Sequence, residues 1–178
     1  MTLSMHTLSV GVFVPALEDL AKVLEKAAEH ARAQGLGPAA LVQARLAPDM
    51  YDLARQVQLA TFHALNGAAL LSGQAPPAMA AEGETLEALQ AQIASAVQRL
   101  QGADAAAFAG AEDRQIRFPV TGADAEFVMT GLEFLKDWAT PHFYFHLVTA
   151  YDILRHEGVE LGKPDFMAHV GRFIRPRG

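Results

Sequence analysis

The stretch His142-Phe-Tyr-Phe-His146 lies in an apolar segment near the carboxyl end of the 178-residue chain. Four residues make about one helical turn, so both imidazoles are expected to project from one face of a helix. The rest of that face is mostly of interior type, with Leu135, Trp138, Thr149 and Ile153. Polar rings on a buried face need partners, because burying an unpaired polar group is unfavourable. The pair therefore predicts a packed helix whose histidines either share a metal ion or form hydrogen bonds within the core.

The rest of the chain also has a helical pattern, because apolar residues recur at intervals of three and four. Long helices are predicted over residues 7–34, 50–71, 86–100 and 130–156. Asp49 and Thr85 are the predicted N-caps of the second and third helices. Thr130-Gly-Leu-Glu133 fits a capping box that opens the fourth. Pro15 is expected to bend the first helix or to mark its regular start, and Pro141 to kink the fourth.

The segment between the third and fourth helices has a different pattern. Gln115-Ile-Arg-Phe-Pro-Val120 alternates weakly, and Thr121-Gly-Ala-Asp124 offers turn residues. This predicts a short β-hairpin that ends near Met129. A further short helix is predicted over residues 165–170. Together these elements predict an all-α fold, with residues 1–178 forming one antiparallel four-helix bundle that carries a short hairpin between helices three and four.

Composition narrows the range of functions. Acidic residues exceed basic ones and give a net charge of −6, so binding to nucleic acid or to an anionic membrane is not expected. The chain has no cysteine, which excludes thiolate metal sites and cysteine nucleophiles. The first residues show neither a basic region before an apolar run nor a clear cleavage site, so neither a signal peptide nor a membrane span is expected. We therefore expect a cytoplasmic protein.

A third candidate metal ligand is His63, in the middle of the second predicted helix. Ala60 and Gly67 lie about one turn to either side, and such small residues would leave space between helices for an ion. The alternative is close helix packing with His63 hydrogen-bonded across it. Gln56 and Asn66 are candidate hydrogen-bonding partners around the site. The remaining histidines are expected to be solvated or to cap helices; they are His6, His30, His156 and His169.

No catalytic residue can be assigned from the sequence. It contains no HExxH protease motif, no glycine-rich phosphate loop and no G-x-S-x-G elbow. Glu133 and Asp137 precede the histidine pair by two to three turns and are expected on a solvated face.

Several stretches together resemble a known family. A histidine in helix two is followed by His142-x-x-x-His146 and then by Thr149-Ala-Tyr-Asp-Ile-Leu-Arg155-His-Glu-Gly-Val159. This order resembles the DinB/YfiT-like superfamily of bacterial four-helix proteins. More narrowly, four segments resemble an uncharacterised branch of that superfamily: Leu46-Ala-Pro-Asp-Met-Tyr51, Arg55-Gln-Val-Gln58, Pro141-His-Phe-Tyr-Phe-His146 and Leu161-Gly-Lys-Pro-Asp-Phe166.

The resemblance implies a DinB-like bundle, often dimeric, with a three-histidine site at His63, His142 and His146. Members of the superfamily bind divalent nickel or zinc, and some are transferases or isomerases that use low-molecular-weight thiols. The narrower branch commonly has asparagine at the position of His142. His142 therefore either completes a set of three ligands in this chain or replaces another polar residue.

Two functions remain open at this stage. The first is a metal-dependent enzyme of the thiol-transfer, isomerisation or hydrolysis type, acting on a small molecule or a thiol. The second is a non-catalytic bundle that binds a small apolar ligand or a second copy of itself. The second is favoured by the aromatic residues on several sides of helix four, which exceed what one core stripe needs; they are Phe143, Tyr144, Phe145 and Tyr151.

Overall fold

The computed structural model describes residues 3–37, 39–81 and 83–177. The described helices and strands follow one another in this order: α1 (Met5–Gln34), α2 (Leu53–Leu71), α3 (Leu86–Gln101), β1 (Gln115–Pro119), β2 (Glu126–Thr130), α4 (Gly131–Glu133), α5 (Thr140–His156) and α6 (Lys163–Phe166). A π-helical segment, Phe134–Ala139, joins α4 to α5, and 3₁₀ segments lie at Ala105–Phe108 and Ala168–Phe173. The helical bundle with a short hairpin is confirmed.

The helix ends agree with the sequence at most positions but not at the start of α2. Thr85 caps α3 as predicted, with its side chain accepting from the backbone of Ala88. The prediction that Asp49 caps a helix beginning at residue 50 is wrong. Residues 47–50 close a turn of their own, and the side chain of Asp52 accepts from the backbone N–H of Arg55 at 3.0 Å. Asp52 is therefore the N-cap and α2 begins at Leu53.

The apolar core lies where α2 packs against α1, α3 and α5. Phe13 of α1 and Phe143 of α5 are fully buried, and their ring centroids are 4.8 Å apart. Helix α1 runs through Pro15 without interruption, so this proline does not mark the start of the helix. In the part of the chain that is described, no helix combines the length and the apolar character that crossing a bilayer requires.

The predicted fourth helix is confirmed at its start but divided in its middle. Thr130 and Glu133 form the expected capping box at the beginning of α4. Further along, the backbone N–H of Thr140 bonds to the carbonyl of Leu135, five residues back, as in a π-helix. Pro141 has no N–H, and in a regular α-helix its ring clashes with the carbonyl four residues earlier. The wider π turn directly before this proline accommodates it, and α5 continues regularly from there.

The hairpin and the C-terminal segment both pack on this bundle. In the antiparallel ladder Phe118 of β1 lies opposite Phe127 of β2, which confirms the predicted hairpin. The predicted helix over residues 165–170 is instead α6 followed by the 3₁₀ segment, with Met167 between them. The segment is held by a ring contact between Tyr151 and Phe166.

Candidate metal site

The three histidines predicted as ligands meet between α2 and α5. The ring centroid of His63 lies 4.9 Å from that of His142 and 5.4 Å from that of His146. Gly67, one turn after His63, has no side chain and lies against α1 and against the residue that precedes α5. A Cβ atom at that position would lie 3.3 Å from the Cβ of Ala139 and 3.3 Å from the Phe13 ring. The small residue thus leaves room for α2 to pack against α1 and against the start of the segment that carries His142 and His146.

The tautomer of His142 is set by its own helical segment. Its Nδ1 lies 2.8 Å from the carbonyl oxygen of Trp138. A carbonyl oxygen only accepts, so Nδ1 carries the proton and donates it. In the neutral ring the lone pair is then on Nε2, the atom that remains available to a metal ion.

The tautomer of His146 is set by a residue on the other helix. Gln56 is buried at the start of α2, and its Nε2 donates to the carbonyl of Tyr51 at 3.3 Å. This fixes the amide orientation, so Gln56 Oε1 accepts a hydrogen bond from His146 Nδ1 at 2.8 Å. Again the lone pair of the neutral imidazole is on Nε2. The sequence suggested Gln56 as a hydrogen-bonding partner around the site, and in the structure it is the acceptor for His146.

His63 is held by packing and not by hydrogen bonds. Among the described residues, none forms a hydrogen bond with its ring. Burial, and then the neighbouring rings of His142 and His146, lower the pKa of His63 to about 3. Burial, His142 and Arg55 lower the pKa of His146 to about 4. Both imidazoles are therefore neutral at physiological pH, which is the form that binds metal.

An aromatic column supports the cluster from the side of the hairpin. The Trp138 ring lies 4.4 Å from the His142 ring, measured between centroids. On its other side it contacts Phe118 and Phe127 at 4.8 Å and 4.7 Å. The sequence analysis placed Trp138 on the histidine face but missed this support. Phe118 and Phe127 could have indicated this contact, because the hairpin register places them opposite each other.

The cluster is not a preformed metal site as its side chains stand. In the ranges that the structure describes, no group of three or more His, Cys, Asp or Glu side chains has the arrangement of a metal-binding set. Ligand nitrogens bound at about 2.1 Å around a tetrahedral ion place imidazole centroids roughly 5 Å apart. The separations of the His63 ring from the other two rings have this size, so His63 is near enough to share an ion with either of them after a change in ring orientation.

Comparison with known proteins assigns the family. The sequence matches the domain of unknown function DUF1993 over residues 5–167. It is also similar to a DinB family member from Shewanella denitrificans whose crystal structure is known, with 38% identity. The similarity covers 92% of this chain and 91% of that one, with a TM-score of 0.83. The chain belongs to the DUF1993 branch of the DinB family. No protein of curated function matches it significantly.

The part of this DUF1993 protein that matches the family contains all three histidines of the cluster. The other histidines lie elsewhere. His6 packs edge-on against Phe108, and His156 is exposed at the end of α5. His169 differs from the prediction of a solvated or capping residue, because its ring donates to the buried carboxylate of Asp19 at 2.5 Å.

The two acidic residues before the histidine pair take no part in the cluster of the DUF1993 protein. Glu133 and Asp137 are both exposed, as predicted for a solvated face. Glu133 closes the capping box at Thr130, and Asp137 pairs with Lys136. The cluster is thus built from imidazoles, with one amide and one backbone carbonyl behind them.

Proposed function

We propose that His63, His142 and His146 bind a divalent metal ion, zinc or nickel, and that the protein is a metal-dependent enzyme acting on a small molecule or a thiol. The observation that supports this most is the pair of hydrogen bonds behind the α5 histidines. Each Nδ1 donates to a fixed oxygen, which leaves both Nε2 atoms free to bind. Metal-binding histidines in proteins almost always have such a partner on the second nitrogen.

The donor set suits zinc or nickel. Imidazole is a good ligand for both metals, and three neutral imidazoles leave at least one coordination position open. His142 and His146 are held in orientation, by a carbonyl and an amide respectively. His63 has no hydrogen-bonding partner among the described residues and is the ring that can turn without losing a bond.

A bound divalent ion would lower the pKa of a coordinated water or thiol, which suits thiol transfer, isomerisation or hydrolysis. The protein's own residues contribute orientation and a shielded surrounding. Gln56 and the Trp138 carbonyl hold the rings of the α5 histidines. The aromatic column of Phe118, Phe127 and Trp138 keeps water away from one side of His142. The charge of Arg55 helps to lower the pKa of His146 and so keeps that imidazole in its neutral form.

The experiment is metal analysis of protein purified without a histidine tag. After incubation with zinc or nickel and gel filtration, the native protein is expected to retain about one ion per chain. The variant His63→Ala, His142→Ala should retain little. The matched control is His156→Ala, which removes an exposed histidine from the end of α5 and should bind as the native protein does. Equal metal content in the double variant and the native protein would end the proposal.

A second candidate is the non-catalytic bundle that pairs with a second copy. It is favoured by apolar side chains on the outer side of α5, where Phe145 is 61% exposed and Val148 is 39% exposed. Such residues side by side are typical of a surface that a partner covers. Light scattering of the native protein and of Phe145→Ser measures this. A native dimer that becomes monomeric in the variant, together with no retained metal, would favour this candidate over the enzyme.

A further inference from the structure

A cavity of about 340 Å³ lies between α2, α3 and the connector that joins them, away from the three histidines. Its size is at the lower end of the range for small-molecule sites, about 300–1,000 Å³. One wall is the α3 face with Ala88, Gln92, Ser95, Ala96 and Arg99, which recur at intervals of three and four. The small residues on this face create the space. The opposite wall is formed by α2, including Phe62 and Leu65, and the connector closes the third side.

The third side is firmly attached to α2. Gln58, which is 3% exposed, donates from its amide nitrogen to the carbonyl of Ala80 and accepts from Arg55. Thr61 donates within its own helix and accepts a hydrogen bond from Gln92 at 3.0 Å. These hydrogen bonds connect α2 to the connector and α2 to α3. The cavity is therefore a built feature of the fold, since its walls are connected by hydrogen bonds between side chains of α2, α3 and the connector.

The polar side chains of the cavity that have no described hydrogen-bonding partner belong to α3. Among the described residues, Arg99 forms neither a hydrogen bond nor an ion pair, and it is the sole charged residue of the described lining. Ser95, one turn earlier, likewise has a hydroxyl without a described partner. A guanidinium and a hydroxyl at this spacing present several N–H and O–H donors at one end of a space whose other polar side chains, Gln58, Thr61 and Gln92, are hydrogen-bonded to one another or to the connector. Such a combination suits a ligand that has an anionic group and an apolar body.

We infer that this cavity binds a small carboxylic acid with an apolar chain, its carboxylate at Arg99 and Ser95 and its chain between α2 and α3. Guanidinium and carboxylate match in geometry and form charge-assisted hydrogen bonds. The apolar chain is in contact with the alanines of both walls and with Phe62 and Leu65. The described lining contains no histidine of the cluster. Phe62 lines the cavity, and its ring centroid lies 5.5 Å from that of His63.

Octanoate is a suitable probe, with 1-octanol as the matched ligand that lacks the charge. Isothermal titration calorimetry on the native protein is expected to show one saturable octanoate site with a Kd below about 1 mM. Octanol should bind at least about tenfold more weakly, because it cannot form the charge-assisted bonds. Arg99→Gln should weaken octanoate binding by a similar factor and leave octanol binding unchanged.

Three further variants locate the binding. Ser95→Leu fills the cavity from an exposed helix position and should abolish the binding of both ligands. Arg32→Gln, a matched change at an exposed arginine in the last turn of α1, should have no effect. The variant His63→Ala, His142→Ala should bind octanoate normally, which separates this site from the metal proposal. Circular dichroism should show that each variant remains helical.

Several outcomes would overturn the inference. They are the absence of saturable octanoate binding, equal affinities for octanoate and octanol, and unchanged octanoate affinity in either Arg99→Gln or Ser95→Leu. Loss of octanoate binding in the histidine double variant would also overturn it, because the ligand would then occupy the cluster.

Discussion

Replacing Gln56 by leucine removes the residue that orients His146. The Gln56 side chain is 1% exposed and accepts from a ring that is 8% exposed. Leucine has a similar size but no acceptor, so His146 Nδ1–H loses its partner while it stays buried. A buried donor without a partner costs about 1–3 kcal/mol. Burial of the added apolar surface offsets part of this cost. We expect the unfolding free energy of the metal-free protein to fall by about 1–2 kcal/mol.

The same substitution has a second, more specific readout in the tautomer of His146. In the native protein ¹⁵N NMR should find the proton on Nδ1, because the acceptor at 2.8 Å requires it. In Gln56→Leu nothing holds this tautomer, so the two ring nitrogens should show a mixture. If the cluster binds metal, the affinity should fall about 10–100-fold, the usual effect of losing a partner behind a ligand.

Gln98→Leu is the control, since Gln98 is exposed on α3. Its unfolding free energy should stay within about 0.5 kcal/mol of the native value. The reasoning would be refuted if His146 of the native protein carried its proton on Nε2, or if Gln56→Leu were as stable as the control and left the tautomer unchanged.

Three further predictions concern the fold around the site. Gly131→Ala should destabilise the protein by more than about 3 kcal/mol in urea unfolding, because its Cβ would lie 1.8 Å from the carbonyl oxygen of Ala111. Burial raises the pKa of Asp19, but the hydrogen bonds from His169, together with the hydrogen bond and charge of Lys22, outweigh this, so the folded-state pKa is lowered. The resulting stability is present above the unfolded-state pKa of about 3.9 and is lost as the pH falls through the lower folded-state value, so Asp19→Asn should flatten the acid end of a stability profile. Phe127→Ala should shift the fluorescence emission of the single tryptophan to longer wavelength and cost about 1–2 kcal/mol.

Each of these three predictions has either a control variant or an outcome that would contradict it. Gly171→Ala meets nothing within 4 Å and should be nearly neutral, so equal effects at the two glycines would contradict the steric argument. Asp152→Asn, at an exposed position on α5, should leave the acid dependence as it is. Unchanged tryptophan emission in Phe127→Ala would show that the hairpin does not cover that ring.

The sequence predicted the helices well because their signals are local. Periodic apolar residues and the caps Thr85 and Thr130 depend on neighbours within one or two turns, and both caps are present. The false start at Asp49 shows the limit of such signals. Asp49 and Asp52 are equally good caps by composition, and the loop carbonyls of Val42 and Ala44 decide between them by binding the first N–H groups of α2.

For the candidate site, the sequence predicted which residues meet but not how they are held. The spacing of His142 and His146 placed both rings on one face of a helix, and the family resemblance added His63 as the third ring. The acceptor for His146 lies 90 residues earlier in the chain. Spacing along one helix carries no information about such a partner, so the role of Gln56 became clear only from the packing of α2 on α5.

The two hydrogen bonds behind the α5 histidines differ in what they require. The bond of His142 spans four residues, so it can form as soon as its own turn of helix exists. The bond of His146 to Gln56 forms only when α2 packs against α5. A chain in which α2 has detached would therefore keep the His142 ring aligned, while the His146 ring could rotate. The tautomer of His146 then reports whether α2 is packed against α5.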